Sequence, residues 1–264
     1  MEVQRVKICG VPVDCTDAGG AVARVAELMD RRAPSSIFAV NPEKVVQCGR
    51  DERLHRALES AGLLIPDGIG AVLAARFLHH ARIKRVPGCE LMPALCAYAA
   101  ASGHSIFLFG GAPGVAETAA AALLRTYPGL RVAGCQHGYL DDAGTARLFE
   151  RINALKPDML FVALGSPRQE LWISENLGKL DVKICQAVGG TFDVLAGRVK
   201  RAPAAFRAAQ LEWLYRLLSQ PKRAMRQSAL PLFAAKVIGA YMRGKLRARP
   251  RPASARAPRR PRAH

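Results

Sequence analysis

At 264 residues the chain is longer than the usual ~100–200 residues of one domain but hardly supplies two, so one large core with an appendage is expected. Half the residues are hydrophobic, ample for such a core, and no run reaches the ~18 consecutive apolar residues of a membrane-spanning helix. The net charge of +18 is uneven: residues 1–197 carry 21 Lys+Arg against 20 Asp+Glu, whereas residues 198–264 carry 18 against the single acid Glu212. Basicity confined to one end points to an anionic surface, either nucleic acid or lipid head groups.

Val6–Val13 alternates around Gly10 and Pro12 and reads as a small hairpin or edge strand. Ala18–Arg31 has helical apolar spacing, and Ser36–Val40 is a buried-type strand ending at Asn41-Pro42. Asn41 suits an N-cap and Pro42 the first turn of a helix over Glu43–Gly49, followed by a second helix over Glu52–Ala61. Leu63-Leu64-Ile65 is then a short strand stopped by Pro66, and residues 69–78 return to helical spacing. Asp67, between them, stands at the carboxyl edge of a parallel sheet, where ligands sit in open α/β folds. It is either a carboxylate at a cleft or the cap of the following helix, since Asp is a favoured N-cap.

A basic loop, Arg82–Gly88, leads to an alanine-rich helix over 90–101. Strands follow at Ser105–Phe109, Arg131–Cys135, Met159–Leu164 and Lys183–Val188, separated by helices through Leu124, over 142–155 and after Gly165. This alternation over 35–190 predicts an α/β fold, a Rossmann-like, mostly parallel sheet with helices on both faces. No internal repeat is found. The expected organisation is a catalytic core over 1–197, a basic amphipathic helical appendage over 198–246 and a disordered Arg/Pro-rich tail over 247–264. In the appendage, Ala204–Leu218 is amphipathic, and residues 228–242 are apolar except for Lys236.

Seven scattered cysteines, with no C-x-x-C, argue against a structural zinc and a disulfide framework; most are expected to be small buried residues in a reducing cytosol. Met1–Gly10 has no apolar segment of the secretory kind. Asp141-Asp142 fits a helix start better than a metal site, and the histidines read as structural or surface residues. Gly110-Gly111, Gly165 and Gly189-Gly190 end strands, where glycine lets a backbone approach a ligand and helix N-termini offer N–H groups to phosphate. Such turns on one edge favour a nucleotide or sugar-nucleotide. The absence of G-x-G-x-x-G, the P-loop and G-x-S-x-G weighs against a dinucleotide oxidoreductase, a P-loop NTPase and an α/β-hydrolase.

Asn41-Pro42-Glu43-Lys44-Val45, Pro66-Asp67-Gly68, Arg85-Val86-Pro87-Gly88, Phe109-Gly110-Gly111, Gly165-Ser166-Pro167-Arg168-Gln169-Glu170 and Val188-Gly189-Gly190-Thr191-Phe192-Asp193 occur in order. Glu212-Trp213-Leu214-Tyr215-Arg216-Leu217 and Pro221-Lys222-Arg223 with Arg226 follow. Together these motifs resemble the bacterial WecG/TagA/CpsF glycosyltransferases, glycosyltransferase family 26, over residues ~5–242.

The resemblance implies an inverting, metal-independent transferase that moves a sugar, typically N-acetylmannosamine, from a UDP donor to polyprenyl-diphosphate-linked GlcNAc. The reaction would take place at the inner face of the cytoplasmic membrane, with the protein cytoplasmic and peripherally bound. UDP-glucose or UDP-glucuronate donors and exopolysaccharide assembly stay open as alternatives. The resemblance makes Asp67 the catalytic base and ties Arg85 and Gln169 to donor and acceptor handling. It assigns Arg216, Arg223 and Arg226 to an appendage that reaches the membrane and completes the site. Asn41, Gly110, Gly111, Gly189 and Gly190 are expected to bind substrate. Ala39 stands where the family often has threonine, which removes a hydroxyl near the site.

No cofactor beyond the UDP-sugar donor and no metal is expected. Expected partners are the lipid-linked acceptor and an anionic membrane surface, with Phe206, Trp213, Tyr215 and Phe233 as interfacial anchors. The number of subunits is open, a homo-oligomer included. A basic nucleic-acid-binding protein is the rival reading. No helix-turn-helix, zinc finger or RNA-binding signature supports it, and nucleic acid is not an expected partner.

Overall fold

A computed structural model describes residues 3–208, 212, 214, 215 and 229–248. Its centre is a six-stranded parallel sheet in the order β4-β3-β8-β7-β5-β6. The strands are β3 (Ser35–Val40), β4 (Leu63–Pro66), β5 (Ser105–Gly110), β6 (Arg131–Gln136), β7 (Met159–Ala163) and β8 (Ile184–Ala187). Every residue of β4, β7 and β8 is buried, as a sheet covered on both faces requires. On one face lie α2 (Pro42–Cys48), α3 (Glu52–Glu59), α4 (Ile69–His79), α7 (Asp142–Leu155) and α8 (Arg168–Asn176). On the other lie α1 (Ala18–Met29), α5 (Gly88–Ser102), α6 (Val115–Thr126) and α9 (Thr191–Leu195).

The predicted elements are present within a few residues of their expected bounds, including the hairpin β1 (Arg5–Ile8) and β2 (Val11–Asp14). That hairpin guards the edge of the sheet. The buried Asp14 accepts the outward N–H of Leu64 on β4 at 2.8 Å and is gripped by Arg5 at 2.7 and 2.9 Å. A donor left unpaired on an edge strand invites pairing with another chain; here a carboxylate takes it.

The chain beyond the core forms α10 (Ala204–Ala208) and α11 (Ala229–Ala248). α11 packs along α2 and α4, with Phe233 and Val237 buried in the core cluster of that face. This corrects the expectation that Phe233 is an interfacial anchor: at 6% exposure it is a core residue, because it lies on the inward stripe of α11. Phe206 packs at a tilt against Tyr215, ring centroids 5.6 Å apart. Trp213, most of the stretch to Leu218 and the tail beyond Ala248 lie outside the described residues. All seven cysteines are free; Cys48, Cys96 and Cys185 are buried, and the other four are half-buried rather than core.

Candidate active site

A cleft of about 830 Å³ opens at the carboxyl ends of the strands. It crosses the place where the order passes from β3 to β8, strands far apart in the chain, as ligand sites in doubly wound sheets do. Asp67, Asn41, Arg85, Gly111, Gln169, Gly189 and Gly190 all line it. Gly110 does not. Its conformation (φ +127°) and its contact with β7, where a Cβ would stand 2.3 Å from the Ala163 oxygen, make it a packing glycine. Arg216, Arg223 and Arg226 lie outside the described residues.

Asp67 is fixed by its backbone: its N–H donates to Val40 at 2.9 Å, and Val86 N–H donates to the Pro66 oxygen at 2.8 Å. The capping role open in the sequence is not the one it takes. The N-cap of α4 is Gly68 at φ +90°, and no side chain caps that helix. Asp67 lines the β4 end of the cleft, half-buried.

Asn41 does cap: its Oδ1 accepts from Lys44 N–H at 2.9 Å, and the residue lines the cleft. Beneath it runs a buried polar chain. Lys44 Nζ donates to the Ala39 oxygen at 2.6 Å and to Glu170 Oε1 at 2.7 Å. Gln169 Nε2 donates to the same Glu170 oxygen at 3.0 Å, and Gln169 Oε1 accepts from Gly189 N–H at 3.0 Å. Burial would push the Glu170 carboxyl up, but the Lys44 ammonium and hydrogen bonds from Lys44 and Gln169 outweigh it and hold the pKa below its ordinary 4.5. The carboxamide of Gln169 thus joins the turns after β7 and β8, and the Gly189 N–H already has its acceptor. The Gly111 N–H likewise donates to the Ala163 oxygen at 2.9 Å.

Arg85 is mostly buried between Glu212 at 3.7 Å and Glu90 at 3.9 Å, and Glu90 also pairs with Arg201. Glu212, buried, is the one acid of the basic C-terminal segment, and it lines the cleft. Its isolation in that segment was the signal that could have singled it out. Arg168 and Tyr139 were also missed. Arg168 exposes its guanidinium on the first turn of α8, and Tyr139 is 74% exposed on the wall beyond β6. Among the described residues no three His, Cys, Asp or Glu side chains converge to hold a metal ion.

Residues 6–247 match the family described as the glycosyl transferase WecG/TagA/CpsF family. A protein of Staphylococcus aureus (strain MRSA252) is 34% identical over 238 residues, 89% of this chain and 93% of its own length. One of Bacillus spizizenii (strain ATCC 23059 / NRRL B-14472 / W23) is 33% identical over 210 residues, 80% of this chain and 81% of its own. Both relatives are named N-acetylglucosaminyldiphosphoundecaprenol N-acetyl-beta-D-mannosaminyltransferase. With its family match running nearly end to end and its cleft at the switch of a parallel sheet, this chain belongs to the WecG/TagA/CpsF glycosyltransferases.

Proposed function

We propose that this glycosyltransferase moves N-acetylmannosamine from UDP to a GlcNAc carried on a polyprenyl diphosphate, with inversion and without a metal. The observation that carries the reading is the place of Asp67, at the carboxyl end of β4 in the cleft that Arg85 and Gln169 also line. The names of the two relatives support the sugar and the acceptor.

The sheet edge orders the substrates. Asp67 follows β4 at one edge and Tyr139 follows β6 at the other, five strand spacings or about 24 Å apart. That span accommodates a sugar nucleotide and an acceptor side by side. The exposed Tyr139 ring would suit a planar base, a reading that puts the nucleotide at the β6 end and the transferred sugar toward Asp67. In the reaction, the acceptor hydroxyl oxygen bonds to the anomeric carbon as that carbon's bond to the diphosphate oxygen breaks. The hydroxyl proton passes to Asp67, and UDP leaves with the electron pair. A single displacement inverts the anomeric centre.

A free aspartate in water, with pKa ~3.9, is a weak base, so a base at this position would depend on a direct hydrogen bond to the acceptor. Charge on departing UDP falls to arginine, which grips phosphate with two parallel N–H groups. Arg85 and Arg168 line the cleft and are our candidates for that role. The Gly111 and Gly189 N–H groups, hydrogen-bonded internally, contribute less than glycine turns usually do. Arg216, Arg223 and Arg226 complete the reading as further phosphate partners. Peripheral attachment to an anionic bilayer belongs to it as well, since basic residues near such a surface contribute ~1 kcal/mol each.

The test is a panel of UDP-sugars with a prenyl-diphosphate GlcNAc acceptor, followed by UDP release, product mass and the anomeric coupling of the product. Turnover with UDP-N-acetylmannosamine that survives a chelator and gives the inverted anomer is expected. Absence of transfer from every UDP-sugar would overturn the assignment, and a retained anomer would remove Asp67 as base.

A further inference from the structure

We propose that Glu43, on the first turn of α2, holds the ring hydroxyls of the acceptor sugar beside Asp67, and that Gln47 positions its carboxylate. The inference rests on the acceptor proposed above and adds the contact that selects its ring. Glu43 lies three residues past the end of β3, and the fold brings that turn against the one that carries Asp67. Val40 pairs with Pro66, and the Asp67 N–H donates to the Val40 oxygen at 2.9 Å, so β3 and β4 end level with each other. A Cβ on Gly70 would stand 2.7 Å from Pro42 Cγ, so the first turns of α2 and α4 touch. At this junction Glu43 and Gln47 line the cleft together with Asn41, Asp67 and Gly70.

Charge selects the occupant. Lys44 is the cation of this corner, but its side chain is only 4% exposed and its ammonium is bonded to Glu170 and to the Ala39 oxygen. Its charge is therefore directed under the cleft, and Glu43 gives the corner a carboxylate. A carboxylate repels phosphate and accepts hydrogen bonds from hydroxyls, with lone pairs enough for two neighbouring ones on a sugar ring. The corner thus takes a neutral, hydroxylated ring, while diphosphate goes to arginine. In an inverting displacement the entering hydroxyl approaches from the side away from the leaving group. A corner that repels diphosphate is the entering side, which assigns it to the acceptor sugar.

Gln47 shows that the carboxylate is held for a purpose. One turn beyond Glu43 and on the same face of α2, its Nε2 donates to Glu43 Oε1 at 3.2 Å. Its own Oε1 is buried and has no hydrogen-bond partner among the described residues. A buried acceptor without a donor opposes folding and calls for an explanation. Orienting Glu43 supplies one: the carboxamide gives its donor to the carboxylate and leaves its acceptor unmatched.

The test uses the full chain, the variants Glu43→Gln and Gln47→Met, and a short, water-soluble prenyl-diphosphate GlcNAc. Analogues of that acceptor, each lacking one ring hydroxyl other than the attacked one, complete the set. Glu43→Gln should raise acceptor KM about tenfold or more, with donor KM within about twofold of wild type. Loss of the hydroxyl that Glu43 holds should cost wild type about tenfold and the variant little. Gln47→Met should raise acceptor KM about threefold while its urea midpoint stays or rises, because the unmatched acceptor goes with the carboxamide. A merely structural Gln47 would lower the midpoint and leave acceptor KM alone, and that result removes its positioning role. Unchanged acceptor KM in Glu43→Gln overturns the proposal, and so does a rise in donor KM instead, which would give the corner to the transferred sugar. Calorimetric binding of the acceptor alone separates this inference from the reading it rests on. If wild type transfers no sugar, that reading fails, and tighter acceptor binding by wild type than by Glu43→Gln still upholds the contact; equal binding, or none, overturns it.

Discussion

The two walls of the cleft are held in different ways. On the β7–β8 side, Lys44, Glu170, Gln169 and Gly189 form a buried chain of hydrogen bonds of 2.7–3.0 Å. On the β4 side, Arg85 meets Glu212 and Glu90 only at 3.7 and 3.9 Å, as charge contacts without hydrogen-bond geometry. Dehydrated, hydrogen-bonded pairs hold one geometry, because any displacement leaves a buried charge unpaired. Looser charge contacts tolerate adjustment. The wall that carries the glycine turns is thus braced, whereas the wall that the C-terminal segment completes can yield as substrate enters.

The largest expected effect is on the carboxylate at the edge of the yielding wall. Asp67→Asn should lower turnover by about 10²–10⁴ with donor affinity largely kept, the range for loss of a general base. Steady-state kinetics and a donor-binding isotherm check it, and near-normal turnover would refute the base assignment. The braced wall should answer in stability instead. Lys44→Met strands Glu170 and should cost about 3–5 kcal/mol in denaturant unfolding, while Lys44→Met with Glu170→Leu should recover most of that.

The same pair predicts a pH dependence. The Glu170 pKa is depressed in the folded state, so its contribution is fully present above the ordinary 4.5 and is lost as pH falls through the lower folded value. Urea midpoints taken from neutral to acidic pH should show this loss in wild type. They should show less of it in the apolar double variant.

Gln169→Leu probes the brace more gently. It removes the acceptor of the Gly189 N–H and one donor to Glu170, for about 1–3 kcal/mol of stability. Because the carboxamide acts through Gly189, turnover should fall more than donor KM rises, and Gln169→Glu should not rescue it beside Glu170. The smallest effect belongs to the looser contact. Glu212→Gln should cost less stability than either change to the brace, since the charge contact it removes from Arg85 is longer and Glu90 stays beside that arginine. A larger loss would mean that the two walls are equally rigid and that the comparison fails.

Legibility in the sequence followed locality. Asn41 and Asp141 were readable as caps from their own neighbours, and both accept the expected N–H at the start of their helices. Asp67 was readable as a rim residue because its strand is short, apolar and stopped by proline, but that Gly68 takes the N-cap position of α4 was not, since that depends on the φ of Gly68. Phe233 was misplaced because an aromatic residue in a basic segment looks the same whether it faces lipid or core. Lys44 and Glu170 passed unnoticed: each is an ordinary charged residue in a helix, and their pairing spans 126 positions.

The sequence by itself determined the order of strands and helices, the parallel sheet and the edge on which ligands would sit, because periodicity, proline and glycine act over a few residues. Only the tertiary structure decided which charges meet under the cleft, that Gln169 braces a turn, and that α11 packs Phe233 and Val237 into the core beside α2 and α4. Those outcomes depend on which groups are buried together, and burial is set by the packing of the whole chain rather than by any stretch of it.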